Sequence, residues 1–146
     1  MEKIKFQIEI EASQEKVWNV LWNEATYPEW TSVFGTGGKA VSDWKEGSKA
    51  VFFGADNFGM VSIIDTKIPN EFISFRYIGI IVNGVEDLSS EAAKKWFGVL
   101  ENYTLNYSNH KTTLTMEMDI LEEYKKDFLE LWPKAMEKIR EFAETK

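Results

Sequence analysis

The chain has 146 residues, 44% of them apolar and 28% charged, and a formal net charge of −7 at pH 7. This length suits one domain, residues 1–146, able to bury roughly 70% of its unfolded surface, and the negative balance disfavours nucleic acid and anionic membranes, whose phosphates need clustered cations. With no cysteine it has no disulfides or thiolate metal sites, and its one histidine cannot pair with another in a histidine-rich metal site.

No run approaches the ~18 apolar residues of a membrane span. Met1-Glu2-Lys3-Ile4-Lys5 leads straight into an alternating pattern, without the apolar core of a signal peptide. The expectation is a cytoplasmic protein that does not insert into membranes.

From Lys3 to Glu11, Ile4, Phe6, Ile8 and Ile10 alternate with Lys5, Gln7, Glu9 and Glu11. This predicts a strand with one wet face. Ser13 is a good N-cap and Glu15 suits a first turn, so Val17, Trp18, Val20, Leu21 and Trp22 read as a short helix. Pro28 fits the first turn of a second short helix within Ala25 to Phe34, with Thr26 as its cap. Gly35-Thr36-Gly37-Gly38 is a turn, and four strands follow: Lys39 to Trp44, Ser48 to Gly54, Gly59 to Ile68 and Glu71 to Gly79. Their short spacing predicts an antiparallel meander. Asn83-Gly84 signals a hairpin, and Ser89 to Trp96 a capped helix. Val99 to Tyr107 and Thr112 to Ile120 form a hairpin around Ser108-Asn109-His110-Lys111.

From Leu121 to Lys146 runs one amphipathic helix. Tyr124, Phe128, Leu131, Trp132, Ala135, Ile139 and Phe142 share a side at steps of three and four. Glu122 with Lys126, and Glu130 with Lys134, are candidate pairs on the other side. Pro133 removes a backbone donor and predicts a kink or a break near Leu129. A long helix across a curved antiparallel sheet closes a groove. The six tryptophans, ten phenylalanines and five tyrosines can line it.

The candidate ligand-binding residues are therefore Trp30, Phe34, Trp44, Phe52, Tyr77, Trp96, Tyr103, Phe128 and Trp132. For each alone core packing is the favoured reading; together they favour a cavity, because large rigid side chains between a curved sheet and a helix rarely fill the space. Tyr77, Tyr103, Arg76 and Asn102 are candidate polar anchors, since apolar pockets keep a few such groups. For Arg76 an outward pair with a cross-strand acid is the favoured reading and a cavity anchor the alternative. Met116, Met118 and Met136 offer adaptable lining or core filling. His110 falls in a turn, and Glu117 and Asp119 lie on the face opposite Leu114, Met116 and Met118. No catalytic residue, metal ligand or cofactor is assigned.

Three phrases carry a family resemblance. Ile8-Glu9-Ile10-Glu11-Ala12-Ser13-Gln14-Glu15-Lys16-Val17-Trp18, Asn70-Glu71-Phe72-Ile73-Ser74-Phe75, and Leu100-Glu101-Asn102-Tyr103-Thr104-Leu105 followed by Thr113-Leu114-Thr115-Met116 stand in order along the chain. They resemble the START-related helix-grip superfamily, which includes the birch-pollen allergens. Within it the chain is most similar to the C-terminal-like domain of the heat shock protein 90 ATPase activator, often found alone in bacteria. The resemblance implies an α+β helix-grip fold. A curved antiparallel sheet of six to seven strands would wrap around the C-terminal helix, with two short helices after the first strand. It implies a protein that binds an apolar or amphipathic small molecule, such as a lipid, between sheet and helix. Two alternatives come with the superfamily. One is a protein-interaction module of the ATPase-activator type, with a chaperone or other protein as partner; the other is a cyclase- or hydrolase-like pocket enzyme.

Overall fold

The computed structural model describes residues 1–145. Strand β1 (Glu2–Ile10) carries the alternation seen in the sequence, with Ile4 and Ile10 buried and Phe6 and Ile8 half-buried against the core. Helix α1 (Gln14–Trp22) starts where Ser13 Oγ accepts the Lys16 N–H at 3.1 Å. Gln14 Nε2 donates to the carbonyls of Asn70 and Leu105, both at 2.9 Å, and so fastens the start of α1 to the sheet. Helix α2 (Tyr27–Trp30) has Pro28 in its first turn and runs on into a 3-10 turn, Thr31–Phe34. Thr26 does not cap it: its hydroxyl donates back to the Val20 carbonyl at 2.6 Å.

The remaining strands are β2 (Lys39–Ser42), β3 (Lys49–Phe53), β4 (Gly59–Ile68), β5 (Phe72–Val82), β6 (Val85–Asp87), β7 (Leu100–Ser108) and β8 (Lys111–Ile120), with α3 (Glu91–Trp96) between β6 and β7. They form one antiparallel sheet in the order β1-β8-β7-β5-β4-β3-β2, with β6 paired to β5. The sheet has eight strands rather than six to seven, β6 being the short return arm of the Asn83-Gly84 hairpin. Strand β2 stops at Ser42 rather than Trp44, because Trp44 sits at φ 62, outside any strand conformation. Two register shifts in β4, at Val61/Ser62 and Ile64/Thr66, mark bulges, which bend a sheet.

Asn109 and His110 both have positive φ, 54 and 64, and join β7 to β8 by a two-residue turn of the I′ kind. A non-glycine residue in this left-handed region costs about 1–2 kcal/mol, part of which glycine gives back in unfolded-state entropy. His110 is exposed. Replacing it with glycine should therefore raise stability by roughly 0.5–1 kcal/mol in urea unfolding. A lower stability would mean that the imidazole makes an interaction beyond the turn.

Helix α4 (Glu122–Glu144) buries Trp132, Ala135, Met136, Ile139 and Ala143. It lies against β1, α1, α2 and the 3-10 turn. The expected face is wider than the covered one: Phe128 and Leu131 are half-buried, and Tyr124 and Phe142 are exposed. The helix is not divided at Pro133. Pro133 and Leu129 are both exposed, so the Leu129 carbonyl that loses its donor lies on the wet side, where water can take the donor's place. The pairs expected at Glu122–Lys126 and Glu130–Lys134 do not form. Instead Lys125 reaches Glu2 of β1 at 3.0 Å, and Arg140 pairs with Glu137. Among the described residues, no helix is long and apolar enough to cross a membrane.

Candidate ligand cavity

Between the sheet, α2 and the middle of α4 lies a cavity of about 560 Å3. The size falls within the roughly 300–1,000 Å3 of small-molecule sites. The sheet supplies Phe52, Met60, Tyr77, Tyr103 and Met118; α4 supplies Phe128 and Trp132 across from them. Thirteen of the 24 lining residues are aromatic. The cavity opens where Gly54 and Phe58 of the loop after β3, Ala92 of α3 and Tyr124 at the start of α4 line it while exposed to solvent.

Eight of the nine residues singled out in the sequence line this space: Trp30, Phe34, Phe52, Tyr77, Trp96, Tyr103, Phe128 and Trp132. Trp44 does not. Its ring packs 5.5 Å from Trp22 and 6.4 Å from Phe75. It supports the wall from behind, because its left-handed backbone turns it off the path of β2. Trp22 and Tyr27 line the cavity without having been singled out. Trp22 closes one end edge-on against Tyr103 at 5.0 Å and Phe75 at 5.2 Å.

The site's main polar group was also missed. Glu101 on β7 is in phase with buried Tyr103 and Leu105, and its carboxyl enters the cavity wall. The Tyr77 hydroxyl donates to one carboxyl oxygen, Oε1, and the Tyr103 hydroxyl to the other, Oε2. Burial pushes the Glu101 carboxyl above the ordinary carboxylate range, against the pull of the Tyr103 and Tyr77 hydrogen bonds. Burial, reinforced by the neighbouring Glu101 charge, pushes the Tyr77, Tyr103 and Tyr27 phenols above their ordinary value. Two indole N–H groups, of Trp22 and Trp132, are buried without a hydrogen-bond partner. Each such orphan costs about 1–3 kcal/mol.

The other candidate anchors lie elsewhere. Arg76 donates from Nε to Asp65 at 3.3 Å, the outward pair rather than a cavity arginine. Asn102 accepts from Ser74 Oγ at 2.5 Å, on the face of the sheet away from the cavity, since it alternates with Glu101 and Tyr103. His110, Glu117 and Asp119 do not line the cavity. Among the described residues no three His, Cys, Asp or Glu side chains converge on a metal-sized site.

Because the folded protein holds the Glu101 proton to higher pH than the unfolded chain does, this group favours folding at low pH. That contribution is lost as pH rises from the ordinary carboxylate range through the raised value. Glu101→Gln removes the titration. The stability of the parent relative to this variant should fall as pH rises above the ordinary carboxylate range, and a pH-independent difference in urea unfolding would contradict the placement of Glu101.

No family model matches the chain, and no curated protein matches it. Solved structures do. The Aha1 dimer from Colwellia psychrerythraea superposes with a TM-score of 0.72 at 16% identity, over 99% of this chain and 97% of that one. CalU16 from Micromonospora echinospora gives 0.66 at 15%, over 97% of this chain and 75% of that one. DynU16, a protein of the dynemicin biosynthetic locus, gives 0.71 at 14% over 99% of this chain, which spans 48% of that one. At such identities the likeness establishes the helix-grip fold and leaves ligand and partner open.

Proposed function

We propose that this protein binds an apolar or amphipathic small molecule non-covalently, in the cavity between the sheet and α4. The observation that carries the proposal is the cavity itself: about 560 Å3, walled mainly by aromatic rings, with the Glu101 carboxyl set among them. A core made only to be stable fills such a space, because interiors pack to near-crystalline density. Rigid rings around an open mouth instead favour a guest that replaces water. Native mass spectrometry of the purified protein tests this. A co-purifying small molecule, released on unfolding, is the expected result; an empty protein that also ignores a broad apolar panel would count against it.

A protein-interaction role of the ATPase-activator type has its own support. The stretch from β6 to the residue after α3 exposes Val85, Leu88 and Phe97, the last at 62%. Exposed apolar side chains that share one patch mark contact surfaces. Substituting Leu88 and Phe97 with serine would abolish such a contact while leaving small-molecule binding intact, and the two roles separate on that result.

A further inference from the structure

Among the described residues Glu101 is the one charged side chain that lines the cavity, and no lysine, arginine or histidine among them lines it. A ligand carboxylate, phosphate or sulfate brought inside would therefore find no cation, and would face Glu101. Free fatty acids fit the apolar walls and fail at this point. A purely apolar guest leaves the carboxyl as it stands, desolvated and held only by two phenols. A carboxylate oxygen offers two lone pairs. Tyr77 and Tyr103 take one on each oxygen, so one on each remains for a donor.

The two phenols on this carboxyl, and the tryptophans packed against them, add a second preference. Tyr103 meets Trp22 edge-on at 5.0 Å, and Tyr77 lies 6.0 Å from Trp96. The negative faces of tryptophan and tyrosine attract cations, most strongly where water is excluded. The net charge of −7 also favours the arrival of cations over anions.

We propose, resting on the small-molecule reading above, that the cavity selects a hydrophobic organic amine in its protonated form. Its ammonium donates to the free lone pairs of Glu101 among Trp22, Tyr77, Trp96 and Tyr103, and its apolar body occupies the space toward Phe128 and Trp132. Burial alone favours the protonated Glu101 carboxyl, whereas an ammonium beside it favours the carboxylate, so the two charges that are costly alone satisfy each other on binding.

The test is an isosteric series, anthracenylmethylamine, anthracenylmethanol and anthracenecarboxylate, titrated against the intact protein near neutral pH. The amine should bind at least ~10-fold more tightly than the alcohol, and the carboxylate most weakly. Glu101→Gln should bring the amine down to the level of the alcohol and leave the alcohol unchanged. If that variant fails to fold, the three affinities of the parent protein decide the matter alone. Equal binding of amine and alcohol, or binding of neutral members of a wider apolar panel but of no amine, overturns the amine preference and leaves the cavity's binding role standing. Binding of nothing at all defeats both.

Discussion

Replacing Trp132 with alanine should cost about 3–5 kcal/mol of stability. The ring is only 4% exposed and sits at the middle of α4. It lies 6.1 Å from Phe6 of β1, 6.0 Å from Trp30 of α2, 5.1 Å from Phe34 of the 3-10 turn and 6.3 Å from Tyr103 of β7. One side chain thus joins the helix to four separate segments. Removing it takes away that contact area and enlarges a cavity that already exists, which the walls are poorly placed to collapse into. Trp132→Phe keeps most of the ring and deletes the unpartnered indole N–H, so its loss should be clearly smaller. Urea unfolding of both variants checks the pair. A cost below about 1.5 kcal/mol for alanine would mean that α4 is anchored elsewhere.

A ligand that occupies the cavity should raise the melting temperature by roughly 5–10 °C at about 100 times its dissociation constant. Ligand that binds only the folded state stabilises it by mass action, about 2.7 kcal/mol at that excess, and a domain of this size gains a few degrees per kcal/mol. The gain should grow logarithmically with ligand concentration. Phe52→Ala, on the sheet wall, should reduce it through weaker affinity. Because that substitution also costs stability, the shift must be taken against the variant's own unliganded melting point. A shift independent of Phe52 would place the ligand elsewhere.

The strands were legible because their alternation is clean. β1 and β8 carry it in full, and Leu114, Met116, Met118 and Ile120 are all buried as their phase requires. The same rule held the clue to Glu101, in phase with Tyr103 and Leu105. A charged residue in a strand is expected on the wet face, and that expectation hid it, while Asn102, one residue out of phase, was offered as an anchor. Arg76 makes the outward pair expected of it, with Asp65 at a β4 register shift; only the identity of the acid was hidden, since bulges leave no mark in a hydropathy pattern. Trp44 is displaced by a left-handed backbone that nothing in Asp43-Trp44-Lys45 announces. Trp22 was correctly placed on a helix, but its position at the cavity wall depends on how α1 docks against the sheet. Local periodicity gives the face of an element, not the neighbours it meets.

The measurement closest to the central claim uses the tryptophans as reporters. The six indole N–H signals of a nitrogen-labelled sample can be followed by NMR as ligand is added. Trp22, Trp30, Trp96 and Trp132 line the cavity, and Trp18 does not. Occupation of the cavity should move those four signals together, with one dissociation constant, and leave Trp18 in place. Ligand that moves none of the four, or only amides of the exposed stretch around Leu88 and Phe97, would contradict the account.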